Sequence, residues 1–135
     1  MHLSLIPPSH IDKAWKDGAH LLSEACDVSG GEITGDQLKM ILSEGKRLLF
    51  AAVKDERPVG WCAAQVEQLP NVRVLHIYAV WARGTLFHEF VEQMREFGRN
   101  QGCSELRCAA KPSQARLYEM KFGFEPVYQV MRSSL

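Results

Sequence analysis

The segment Val80-Trp81-Ala82-Arg83-Gly84-Thr85-Leu86 joins two patterns that could do chemistry together. Ahead of it, Val72 to Val80 is a dense run of β-branched and aromatic residues that reads as a strand. Behind it, Leu86, Phe87, Phe90, Val91, Met94 and Phe97 recur at the helical period, with Glu89, Glu92, Arg95, Glu96 and Arg99 towards the other side. A strand that feeds a helix N-terminus through a glycine-containing turn is one way a chain builds an anion site. The first backbone N–H groups of the helix have no partner of their own and carry partial positive charge. Arg83 could add a full charge there; alternatively, Arg83-Gly84-Thr85 is a tight turn with Thr85 as helix cap. On the strand itself, alternation puts His76 and Tyr78 on one face and Leu75 and Ile77 on the other.

These residues need a frame. Leu3 to Ile6 reads as a short strand stopped by Pro7-Pro8, and Ile11 to Cys26 as one helix. Asp27 to Gly31 is a loop. A second helix starts at Thr34 to Asp36 and closes near Gly45. Leu48 to Val53, Val59 to Val66 and the central strand form an antiparallel meander with short polar turns. After the central helix, which Gly102 can cap, Leu106 to Ala110 is a strand and Pro112 to Lys121 a helix. Val127 to Met131 reads as a closing strand. The order is β-α-α-β-β-β-α-β-α-β, an α+β arrangement in a single domain over residues 1–135.

The chain has 135 residues, with 46% apolar and 24% charged, and its net charge is +0. That is ordinary for a globular domain and argues against nucleic-acid binding through a strongly basic surface. No apolar run approaches the roughly 20 residues that span a bilayer, and the N-terminus lacks a signal-peptide pattern. No membrane partner is expected, and the expected location is cytoplasmic. Cys26, Cys62, Cys103 and Cys108 sit in apolar segments without CxxC spacing, so buried thiols fit better than zinc or dithiol chemistry.

The element order, the strand-turn-helix and the ending LYEMKFGFEPVYQVM resemble the GCN5-related N-acetyltransferase (GNAT) superfamily, whose helix-to-strand corner reads LYEKLGFE. The two N-terminal helices, the hairpin and Gly102-Cys103 also fit, so the resemblance covers nearly the whole chain. It implies a GNAT-like mixed, mostly antiparallel sheet flanked by helices. It also implies transfer of acetyl from acetyl-CoA to an amine on a small molecule or protein. In the family the turn reads V-x-P-x-x-[RQ]-x-[RQ]-G-x-[GA], and its backbone N–H groups cradle the pyrophosphate. Here the turn is shorter, and the two signature glycine places fall on Thr85 and Phe87. On this resemblance Ile77, Tyr78, Ala79 and Val80 would pair with pantetheine, and Arg83, Gly84 and Thr85 would take the pyrophosphate. Tyr118 is the candidate acid for the leaving thiolate, although it stands one residue further from Gly123 than is usual. His76 or Glu67 is the candidate base.

The chain is also similar to small GNAT-like proteins encoded among bacteriophage structural genes. That implies a second class of function, a catalytically silent interaction or assembly protein, such as a virion or accessory component with a virion protein as partner. In that case it would be virion-associated. A homodimer is a further possibility. Trp81 could wall a pocket, fill the cofactor cleft or anchor such an interface.

Overall fold

The structure is a computed structural model that describes residues 1–27 and 30–135; Val28 and Ser29, inside the loop expected at 27–31, lie outside the described residues. Its centre is a five-stranded sheet in the order β1-β2-β3-β4-β5. The strands are β1 (His2–Ile6), β2 (Leu48–Lys54), β3 (Arg57–Gln68), β4 (Arg73–Ala82) and β5 (Glu105–Cys108). The first four pair antiparallel, and β5 joins β4 in parallel. Helices α1 (Ile11–Asp17), α2 (Leu22–Asp27), α3 (Gly35–Ser43), α4 (Phe87–Asn100) and α5 (Pro112–Lys121) complete the chain. It is the α+β, mostly antiparallel architecture that the sequence implies.

The pleat divides the apolar residues into two cores. Leu49, Ala51, Trp61, Ala63 and Ala79 face α1, α2 and α3, where Ile11, Leu22, Leu38 and Leu42 meet them. Phe50, Cys62, Ala64, Leu75 and Ile77 face the other way, onto Phe90 and Met94 of α4. Helix α4 is fixed at its middle and at its C-terminus. Gln93 accepts from Leu3 N–H at 2.9 Å and donates to the Met1 carbonyl at 2.8 Å, tying the helix to β1. At its C-terminus Cys103 N–H reaches the Gly98 carbonyl at 2.9 Å around Gly102, a Schellman-type closure.

Two expectations are corrected. The helix read over Ile11 to Cys26 is two helices, broken at Gly18, whose φ is +139°. A Cβ there would stand 3.0 Å from Trp61 Nε1, so the chain approaches the sheet where only glycine fits. The closing strand at Val127 to Met131 does not form: residues 122–135 carry no regular secondary structure, and Val127, Tyr128, Val130 and Met131 are exposed. Alternation alone makes a segment competent for a sheet, but a ladder needs a neighbour with free backbone groups.

Candidate active site

Strand β4 positions the site, and an irregularity in it sets the geometry. Ala63 faces Ala79 across the β3–β4 ladder, yet Ala64 faces Ile77, so Tyr78 is an extra, bulged residue. His76 and Tyr78 are thereby brought together on the face covered by the N-terminal helices, their rings stacked with centroids 4.4 Å apart. Glu67, near the end of β3, accepts a hydrogen bond from the Tyr78 hydroxyl. From the connection before β2, the Arg47 guanidinium lies over the Tyr78 ring, 3.6 Å from its centroid. Three of the residues singled out in the sequence thus form one cluster.

Burial holds the His76 imidazole below its ordinary pKa, with the charge of Glu67 opposing and those of Arg47 and Arg107 assisting. The ring is therefore neutral at physiological pH and keeps a lone pair for a proton. Tyr78 is pushed the other way, up to about 12, by burial first and then by the hydrogen bond and charge of Glu67. Its hydroxyl stays a donor.

The parallel pairing of β4 with β5 is short. It runs from Val74 opposite Glu105 to Ile77 opposite Cys108 and goes no further. Beyond it, Tyr78 to Ala82 continues as strand on the β3 side, while among the described residues no strand lies along its other edge. The strands splay. Backbone amides and carbonyls on that edge are open to an extended ligand that can complete the ladder.

The splay leads to the turn. Arg83 is extended, Gly84 has φ +53°, and Gly84–Leu86 makes a 3₁₀ turn before α4. Among the described side chains none caps the start of α4, where Leu86 holds the cap position. Its first N–H groups, with Arg83 exposed beside them, retain the character of an anion site. Thr85 lies inside the 3₁₀ turn rather than at its cap, which is Arg83. Arg83 also stands 5.9 Å from the Trp81 ring. Trp81 faces Trp61 across β3–β4 and packs, half-buried, on the core beneath α1 to α3.

Tyr118 belongs to a different group, on the α4 side of the sheet. Its ring stacks on Phe87 with centroids 5.8 Å apart and meets Phe122 and Phe124. Burial, followed by the nearby Cys108, raises its pKa, so the phenol keeps its proton. The Phe122-Gly123-Phe124 corner is clamped from α4: the Arg95 guanidinium donates to the Phe122 carbonyl and lies 5.4 Å from the Phe124 ring. Phe87, at one signature glycine place, thus fills the space between the start of α4 and α5. His88 is exposed.

The sequence reading missed Arg47. Nothing in Gly45-Lys46-Arg47-Leu48 marks it, because its role comes from a contact with a bulged residue thirty-one positions later.

No protein-family model matches the sequence, and no curated protein matches it either. Solved structures do match the fold. A probable acetyltransferase superposes with TM-score 0.70 at 14% identity, covering 100% of this chain and 97% of that one. An aminoglycoside N-acetyltransferase, AAC(6')-Iy, in complex with CoA gives TM-score 0.61 at 16% identity, covering 99% and 95%. A ribosomal-protein-alanine N-acetyltransferase from Brucella melitensis biovar Abortus 2308 gives 0.68 at 16%, covering 98% and 100%. The chain has the fold of the GNAT acetyltransferases. Among the described residues, no helix is long and apolar enough to cross a membrane, and no three His, Cys, Asp or Glu stand together as a metal site.

Proposed function

We propose that the protein is an acetyl-CoA-dependent N-acetyltransferase. The observation that carries this reading is the splay of β4 from β5 after Ile77, leading directly to the uncapped start of α4. The open edge of Tyr78, Ala79 and Val80, with Ile77 at its origin, offers peptide-like groups to the amides of a pantetheine arm. Arg83, Gly84 and Thr85 with the first N–H groups of α4 offer positive potential to a pyrophosphate. When bound, acetyl-CoA supplies an activated thioester.

The chain's own residues then supply the proton chemistry. His76, kept neutral by burial, is placed to take a proton from an amine, with Glu67 as the alternative base acting through Tyr78. Tyr118 retains its phenolic proton on the opposite face, where it can be delivered to a leaving thiolate. Base and acid thus approach the splay from opposite faces of one sheet, and orientation supplies most of the rate.

A second reading keeps the fold without the chemistry, as an interaction or assembly protein of the kind found in phage virions. Phe87 in place of a glycine and the exposed Val127, Tyr128, Val130 and Met131 favour it. Calorimetric titration with acetyl-CoA separates the two. Saturable binding, weakened about tenfold to a hundredfold in Arg83→Ala, supports the cofactor site, since a charge-assisted hydrogen bond contributes about 1.5–3 kcal/mol. Absence of binding at millimolar coenzyme sinks it in favour of the assembly reading.

A further inference from the structure

On the face of the sheet that carries the His76–Tyr78–Glu67 cluster, a cleft of about 510 Å³ opens between α3 and β4. Its apolar wall is Ile33, Met40 and Ile41, and Met40 is 62% exposed at the lip. Tyr78 lines the β4 side, with Arg47 stacked upon it.

The polar groups of the cleft are not all satisfied by one another. Glu44 is paired with Lys46 at 2.7 Å, and the Tyr78 hydroxyl is engaged by Glu67. Two charges remain. Among the described residues no carboxylate forms an ion pair with Arg47, which is half-buried, stacks on the π-face of Tyr78 and extends its charge to Cys26 and His76. Stacking engages the faces of a guanidinium and leaves the N–H donors around its rim pointing outward, in the fork geometry that suits a carboxylate. Glu32, on the cleft wall, likewise has no cation beside it among the described residues. One unpaired cation, one unpaired anion and an apolar wall complement a zwitterion with an apolar side chain.

We infer that this cleft binds an apolar α-amino acid. The carboxylate sits on the outer rim of Arg47, the side chain on Ile33, Met40 and Ile41, and the amino group is held towards Glu32 and the Tyr78 side. As a statement of the acceptor this rests on the acetyl-transfer reading. The binding itself does not, because it needs no coenzyme.

The test is therefore run without acetyl-CoA. L-leucine, 3-methylbutylamine (leucine without its carboxylate) and 4-methylpentanoate (leucine without its amine) are titrated into the protein and into Arg47→Gln and Arg47→Lys. L-leucine should bind tightest. Its affinity should fall about tenfold or more in Arg47→Gln, the loss expected for one charge-assisted contact, and partly recover in Arg47→Lys. Equal binding of 3-methylbutylamine and L-leucine overturns the role of Arg47, as does L-leucine affinity unchanged in a folded Arg47→Gln. No binding of any of the three at tens of millimolar overturns the site. If both variants melt early, the ranking of the three ligands on the unaltered protein still decides. Leucine binding without acetyl transfer would leave this cleft standing and remove only the enzymatic reading.

Discussion

At the scale of residues, the proposed proton chemistry rests on two groups whose environments push them in useful directions. His76→Ala should lower kcat by roughly a hundredfold to ten-thousandfold, the usual contribution of a general base, with little change in the affinity for acetyl-CoA. An unchanged kcat would hand the role to Glu67. Tyr118→Phe keeps the ring on Phe87 and removes only the phenolic proton, so a fall in kcat of similar size without a change in melting temperature marks it as the acid. His76 also has a stability signature. Its folded pKa is lowered, so below its ordinary value near 6.5 the unfolded chain binds the proton more readily. That contribution to instability is absent above the unfolded value and grows as pH falls towards the folded one. Replacing His76 by Gln should therefore flatten the acid-side decline of melting temperature below about pH 6.5 while leaving alkaline values in place. Identical slopes in the two proteins would show that the imidazole is not protected from protonation.

At the scale of elements, the start of α4 is where sequence and structure most need each other. The aromatic run, the turn and the amphipathic stripe make the strand and helix legible, because each period matches one backbone geometry. The sequence shows that glycine is missing at Phe87, but only the fold shows what stands there instead, a ring packed on Tyr118 and Phe122. That packing sets acid placement against coenzyme access. Phe87→Gly should lose stability, by roughly 1–3 kcal/mol for a half-buried aromatic, yet tighten acetyl-CoA binding by opening the approach to the first N–H groups of the helix. Weaker or absent binding in a folded Phe87→Gly would mean that the ring helps to form the site rather than to block it. Elsewhere the misreadings have local causes. Helical periodicity runs on through Gly18 because the residues on either side stay apolar in phase; the positive φ at Gly18 and the close approach to Trp61 that demands glycine there are features the periodicity does not encode. The bulge at Tyr78 is equally silent in the sequence. Alternation places His76 and Tyr78 on one face, whereas the stack, the Glu67 hydrogen bond and Arg47 depend on long-range pairing.

At the scale of the whole molecule, the sheet separates the two surfaces to which the proposal assigns base and acid. The base candidates and the 510 Å³ cleft lie under the N-terminal helices, and Tyr118 and the clamped corner lie with α4. The overall order of elements is readable from the chain, and the solved acetyltransferases share it at identities of 14 to 16%. A core specified by pattern and volume tolerates that much change, while a site specified by single side chains does not. The C-terminal segment shows the limit of pattern. Val127 to Met131 alternates like a strand but stands exposed outside the sheet, and the Arg132 that follows it donates to the Gly30 carbonyl at 3.2 Å.

The central claim is that the open edge of β4 beyond Ile77 receives an extended coenzyme arm. Amide hydrogen exchange of Tyr78 to Ala82, measured with and without saturating acetyl-CoA, addresses it most directly. The expected result is slower exchange confined to that edge and to the first turn of α4, with β2 and β3 unchanged. Exchange at Tyr78 to Ala82 that is the same with and without coenzyme would contradict it.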